Sequence, residues 1–222
     1  MPADVPYDAA WVPDDDPERP WDDAAVVCVE WTLDQADKRG IAPLLVTPTQ
    51  SQWECGARAV VEMAHRFDAT TPRSKQRRTA SPRAVLAYVP DWEAVDIAVC
   101  AARGGTLAVV ETESYPLSGW AAEAAALNLM TGSVSGAALA ETHRADLEHL
   151  SFVGNNGWAD NYGKEAAVRT LQTMKAKGGL DAGVILGFMI AAGHAGRRVE
   201  RLSKLIDRVA AGSDRTTAGR PR

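Results

Sequence analysis

Cysteine is scarce in this chain. Cys28, Cys55 and Cys100 are the only three, the count is odd, and no CxxC pair exists. That excludes a disulfide scaffold, a zinc knuckle and a thioredoxin-like centre, and fits reduced thiols in a cytoplasmic protein. Long apolar runs are also missing. The longest, 184–192, is about nine residues against roughly twenty needed to cross a bilayer, so no membrane partner is expected. The N-terminal stretch is acidic and proline-rich with no apolar segment, unlike a secretory signal. Lysine is rare, six against eighteen arginines, and alanine is abundant; this is read as the coding bias of a GC-rich, bacterial genome. No Walker A, GxGxxG or HExxH pattern occurs. His143, His149 and His194 lack metal-ligand spacing, so neither a metal nor a cofactor is expected.

What is present is an ordinary globular composition. The chain has 222 residues, 46% hydrophobic and 24% charged, enough for a full core without staples. Its net charge of −5 is concentrated at one end, since residues 1–31 hold nine acids and one base, Arg19. Pro2, Pro6, Pro13, Pro17 and Pro20 lie among those acids. Proline removes a backbone donor and fixes φ, so 1–23 reads as an acidic arm, docked through Trp11 and Trp21 over basic residues of the same chain.

After this arm the sequence alternates. Residues 24–32 are β-rich, with a short helical turn at 33–39. Runs of strand length follow at 41–47, 83–89, 106–111 and 150–153. Helical patterns separate them. One spans 51–67, opened by the capping-box pair Ser51 and Glu54; one starts at Asp91; one covers 117–130. Apolar strands alternating with helices predict a three-layer α/β fold with a mainly parallel sheet. Three further helices are expected at 161–177, 181–192 and 197–210. The expected organisation is an arm (1–23), an α/β domain (24–157), a helical segment (158–210) and a flexible basic tail (211–222). Gly183 and Gly187 have the spacing that lets helices approach closely, so Gly187 is expected to face another C-terminal helix or the sheet.

In open parallel sheets, ligands bind outside the carboxyl ends of the strands. The residues following each expected strand are therefore the candidates. Thr47, Thr49 and Ser51 offer hydroxyls at a helix start, suited to phosphate. Asp91 follows the next strand. Glu111 and Glu113 are two apart, a spacing that puts carboxylates on one side of an extended chain for acid/base work or ribose binding. Asn155 and Asn156, in the Gly- and Asn-rich 154–162 stretch, can read sugar or base edges. The expected function is binding of a phosphorylated small molecule, a nucleotide foremost. Hydrolysis of a glycosidic or phosphoester bond is the reaction those carboxylates would serve, and whether the chain is an enzyme is left open.

A second reading is a nucleic-acid-binding or regulatory module. Arg197, Arg201, Lys204 and Arg208 fall within a ~60° wedge of the last helix. Arg73, Lys75, Arg77, Arg78 and Arg83 form a second basic cluster suited to phosphates. A third reading is an interaction protein with no small ligand.

Overall fold

The computed structural model describes residues 5–74, 82–136 and 141–212. Its core is a six-stranded, all-parallel sheet in the order β3-β2-β4-β5-β1-β6. The strands are β1 (Asp8–Val12), β2 (Ala42–Val46), β3 (Asp68–Thr70), β4 (Arg83–Tyr88), β5 (Thr106–Val110) and β6 (Leu127–Asn128). Side chains alternate between the faces of each strand. Leu45, Leu86, Ala108 and Val110 pack under α1 (Trp21–Arg39) and α3 (Arg58–Arg66). Val46, Val85, Leu107 and Val109 pack under α4 (Trp92–Ala102) and α5 (Ser118–Glu123). Burial on both faces is what a parallel sheet between helical layers requires, and the three-layer α/β architecture read from the sequence is the one observed.

The layering is Rossmann-like, but the strand order departs from the doubly wound 3-2-1-4-5-6. Here β1 lies between β5 and β6, pairing Asp8–Val12 in register with Thr106–Val110 and Ala10–Trp11 with Leu127–Asn128. The 19-residue helix α1 then carries the chain back past β5 and β4 to β2. Residues 8–12 are therefore sheet, not part of an arm. Pro6 and Pro13 bracket the strand without entering it, so no ladder donor is lost. Trp11 is buried and donates from Nε1 to Ser135 Oγ at 2.9 Å, whereas Trp21 remains 47% exposed.

Other elements also differ from expectation. The 24–32 stretch is helical, because its buried positions Ala24, Ala25, Cys28, Val29, Thr32 and Ala36 recur with helical spacing. Tertiary burial there overrides the β propensity of its valines. The 51–67 helix is broken into α2 (Ser51–Glu54) and α3 by Cys55 and Gly56. Glu54 accepts from Gln50 Nε2 at 2.7 Å instead of closing a capping box with Ser51. The 117–130 helix stops at Glu123; Ala125 takes φ +47°, and Leu127–Asn128 join the sheet edge. Residues 150–153 are the last turn of α6 (Glu141–Val153), not a strand. Asp91 and Asp181 do cap their helices, accepting from Ala94 N at 2.8 Å and Val184 N at 3.0 Å.

The C-terminal helices α7 (Asn161–Ala176), α8 (Ala182–Ala191) and α9 (Gly196–Ala210) form an outer layer beyond α4 and α5. A single apolar cluster runs from Trp11 and Val109 through Trp92 and Trp120 to Phe188, Met189 and Leu202. Gly187 is buried and faces α5, not a C-terminal helix or the sheet. Lys75, Arg77 and Arg78 of the basic cluster, and most of the expected tail, lie outside the described residues. Arg83 is buried in β4, where it pairs with Asp68 and donates to the Pro43 carbonyl at 3.3 Å. It lies at the amino end of the sheet, away from the candidate edge. Among the described residues, no helix is long and apolar enough to cross a membrane.

Candidate functional site at the carboxyl edge

An open α/β sheet forms a crevice where adjacent strands send their following helices to opposite faces. Among the described residues, two such points carry the candidate side chains. The helices after β2 lie on the α1 face, while α4, after β4, lies on the other. The same divergence occurs between β5, followed by α5, and β1, followed by α1. The candidate strand-end residues divide between these two points.

At the β5/β1 point the chemistry is acidic. Glu111 is 8% exposed. Its Oε2 accepts from Asp14 N at 3.0 Å and its Oε1 from Leu117 N. Asp14 reciprocates, its Oδ2 accepting from Glu113 N at 2.6 Å. These bonds latch the loop after β1 to the loop after β5. Burial raises the Glu111 pKa above the ordinary carboxylate value, with Asp14 and Asp15 adding to the rise, against the lowering effect of the two N–H donors. Glu113 is exposed, since the chain turns at 112–115 and Tyr115 N bonds to Thr112 O at 2.9 Å. The two carboxylates therefore occupy different environments and do not form a symmetric pair.

Beside Glu111 is a cavity of about 10 Å³, lined by Asp14, Asp16, Arg19 and Trp21 among others, room for about one water. Arg19 closes its outer side, donating to the Pro13 carbonyl at 2.6 Å and pairing with Asp15 at 2.8 Å. Asp14, Asp16 and Arg19 escaped the sequence reading because it assigned them to an arm. The signal was local, a four-residue apolar run, Ala9–Val12, between two prolines.

Glu111 sets a pH dependence. Its folded pKa lies above its unfolded one, so its contribution to stability is present at low pH. As pH rises past the ordinary carboxylate value the unfolded chain releases this proton first, and that contribution is lost until folded Glu111 also ionises. The melting temperature of the wild type minus that of Glu111→Gln should fall as pH is raised from about 4. Circular dichroism melts across that range check it, and a difference that grows with pH contradicts the assignment.

At the β2/β4 point the chemistry is hydroxylic. Thr47 is buried and donates from Oγ1 to Thr49 O at 2.8 Å. Thr49 and Ser51 are exposed, with their hydroxyls 3.0 Å apart. Gln52 Oε1 accepts from Thr49 N at 3.0 Å. Across the crevice Val89 takes φ +44°, a conformation costly for a β-branched residue. It turns the chain into Pro90 and Asp91, and Asp91 is committed to its cap. Trp92 meets Tyr115 edge-on at 5.3 Å, tying the β4 loop to the β5 loop. The N-terminus of α3 is already occupied, since Arg58 N donates to Asp22 Oδ1 at 3.2 Å.

Asn155 and Asn156 are not at a strand end. With 150–153 helical, they lie in the turn between α6 and α7, in the outer helical layer. Asn155 O accepts from Arg198 Nη1 at 2.9 Å, and Asn156 Nδ2 donates to Asp160 at 3.1 Å. Arg197, Arg201, Lys204 and Arg208 all face solvent on α9. Arg197 pairs with Glu93 at 2.6 Å and Lys204 with Glu200 at 2.7 Å, while Arg208 Nε donates to Lys204 O at 3.1 Å. No group of His, Cys, Asp or Glu among the described residues is arranged to hold a metal ion. No family model matches this chain, and neither a curated protein nor a solved structure matches it.

Proposed function

We propose that the protein binds a phosphorylated small molecule, a nucleotide in the first instance, along the carboxyl edge of the sheet. The observation that carries this reading is the placement of two unlike crevices on one edge, hydroxyls at β2/β4 and carboxylates at β5/β1. Two strand spacings separate them, about 10 Å, comparable to the span from a nucleotide's phosphate to its ribose and base. Charge fixes the polarity. Asp14, Asp15, Asp16 and Glu113 repel a phosphate, so that end lies at Thr49 and Ser51, with ribose hydroxyls toward the carboxylates. The ligand lies across the rim, because the space beside Glu111 holds about one water. Bond cleavage is a further step of the same reading. Burial favours the protonated form of Glu111, so Glu111 would give its proton to the leaving oxygen of a glycosidic or phosphoester bond while Glu113 takes a proton from the water that attacks and replaces it.

A thermal-shift panel of AMP, ADP, ribose 5-phosphate and orthophosphate tests it. A ligand at a hundred times its Kd stabilises by about 2.7 kcal/mol, which raises the melting temperature of a chain this size by about 5–10 °C. The nucleotides should give that shift, orthophosphate little, and Thr49→Ala and Glu113→Ala should each reduce it. No shift from any compound at millimolar concentration, or a shift indifferent to both substitutions, overturns the proposal.

A further inference from the structure

Ser151 lies in the last turn of α6, and His194 in the turn between α8 and α9. The fold brings them together across 43 positions of sequence, with Ser151 Oγ 2.8 Å from His194 Nε2. Both residues are partly exposed, so the pair is within reach of solvent. A hydroxyl on a helix commonly satisfies itself on the carbonyl one turn back. Thr32, Thr170 and Thr173 do so, donating to Cys28 O, Ala166 O and Arg169 O. Ser151 does not. Among the described residues its hydroxyl has His194 as its hydrogen-bond partner and no other.

The imidazole is held in place. Its ring centroid is 5.0 Å from that of Trp158, with the planes tilted by 35°. Trp158 is itself fixed: it is buried, and its Nε1 donates to Leu150 O at 3.1 Å. A Cβ on Gly154 would fall 2.2 Å from its ring. Trp158 takes φ +53°, a conformation costly for an aromatic residue. Such strain persists where the surroundings over-determine it, and it clusters at functional sites.

The surroundings also keep the imidazole neutral. Burial lowers the His194 pKa below its ordinary value, and Arg198 lowers it further. Of the charged groups on the elements around the ring, Glu93, Glu148, Asp160, Arg197 and Arg198, only Arg198 perturbs it. A neutral imidazole has a lone pair with which to accept a proton. Arg198 is positioned by contacts of its own. Its Nη1 donates to Asn155 O at 2.9 Å, and a Cβ on Gly157 would lie 2.7 Å from its Cγ. Its Nε and Nη2 make no other bond among the described residues, which leaves guanidinium donors for a developing negative charge.

We propose that Ser151 is a nucleophile with His194 as its general base, and that this pair in the outer helical layer hydrolyses activated carboxylic esters. Oγ bonds to the ester carbonyl carbon as its proton passes to His194 Nε2. The carbonyl π pair moves onto oxygen, where the Arg198 guanidinium meets the charge. When that pair returns, the bond to the leaving oxygen breaks, and the leaving group takes the proton from Nε2. Water then attacks the acyl-serine, its proton passing through Nε2 back to Oγ. One ester and one water become one acid and one alcohol, with no other reactant.

The class of ester follows from what stands behind the base. Among the described residues no carboxylate bonds to His194 Nδ1, and Arg198 opposes a second positive charge beside it. The imidazolium that forms is therefore unstabilised. A weakly basic leaving group such as a phenolate departs from such a site, whereas an amine does not. Aryl esters are thus substrates and peptides are not. The pair uses no residue of the carboxyl edge, and it stands or falls independently of the ligand placed there.

The full-length chain, treated separately with a fluorophosphonate probe and with p-nitrophenyl acetate, is the test. The probe should form an adduct that peptide mapping places on Ser151, and heat-denatured chain should form none. The ester should release p-nitrophenolate with an initial burst of about one equivalent per chain. Ser151→Ala should remove both signals. His194→Gln should slow both by at least about a hundredfold, with thermal melts close to wild type. The labelling rate should rise with pH through one ionisation below the ordinary histidine value of about 6.5, and Arg198→Ala should move that midpoint upward. A serine that merely tied α6 to the α8–α9 turn would show none of this. No adduct, an adduct on another residue, or turnover that survives Ser151→Ala overturns the proposal. So does a labelling rate indifferent to His194→Gln. Should that variant not fold, the wild-type pH profile decides, and a flat profile overturns the proposal.

Discussion

Gly187→Leu is expected to lower the melting temperature by about 6–12 °C. A Cβ at Gly187 would lie 2.4 Å from Trp120 N and 2.9 Å from Gly119 N. Both are backbone atoms of α5, so no rotamer change relieves the contact. The same crossing is tight from the other side, where a Cβ on Gly119 would fall 2.0 Å from Val184 O. Helices α5 and α8 therefore meet backbone to backbone through paired glycines, and a leucine must push them apart. Overpacking of this kind costs about 3 kcal/mol, and each kcal/mol shifts the melting temperature of a chain this size by about 2–4 °C. The consequence extends beyond one contact, because α8 is apolar almost all round and joins α5 to α9 and to the core above the sheet. A thermal melt decides the matter. An unchanged transition would mean that α8 does not cross α5 where Gly187 lies.

How much of this could be read from sequence depends on where the controlling interaction is. The central strands β2, β4 and β5 were legible because burial on both faces leaves a short apolar run between polar ends. The helices α4, α7, α8 and α9 were legible because caps and periodicity are encoded within a few residues, as Asp91 and Asp181 illustrate. Four features were not, each decided by distant partners. Residues 24–32 look β-prone one at a time, yet α1 forms because its buried face lies on the sheet. Residues 124–128 are alanine- and leucine-rich, yet Ala125 turns and Leu127 pairs because β1 has an open edge there. Residues 150–153 are an apolar run short enough to pass for a strand, and only Leu147 one turn earlier, buried beside Leu150, marks the helix.

The fourth was β1, whose five residues were averaged into a proline-rich acidic segment. The candidate site inherited these errors. Glu111 and Thr47–Ser51 were placed on the correct edge because their strands were. Asp14 and Arg19 were missed with β1, and Asn155 and Asn156, expected at the sheet edge, lie between α6 and α7 in the outer helical layer. The strain at Val89 had no local signature, since φ +44° there serves the turn into Pro90 and Asp91.

Truncation of residues 1–20 is expected to abolish cooperative folding, the reverse of what an arm would do. An arm held by surface ion pairs contributes about 0–1 kcal/mol per pair, and its loss would bare a basic surface and raise affinity for anions. What the truncation removes instead is β1, a strand paired along its length with β5 and also with β6. It also removes Tyr7, whose Oη accepts from Trp120 Nε1 at 3.0 Å and whose burial raises its pKa to about 12. Without β1 the edge strand β6, two residues long, has no parallel partner, β5 becomes an exposed edge, and the latch on Glu111 loses Asp14. A point variant isolates the strand from the rest of the segment. Trp11 is 8% exposed and packs in the core shared with α5, so Trp11→Ala should cost about 3–5 kcal/mol and lower the melting temperature by about 6–20 °C. Trp21→Ala, at a side chain 47% exposed, should cost less than about 1 kcal/mol. The contrast between the two tryptophans is the decisive reading. Equal and small losses would return the segment to an arm, whereas a large loss at Trp11 alone places the acidic residues that follow it, Asp14 to Asp16, on a rigid strand end rather than on a tether.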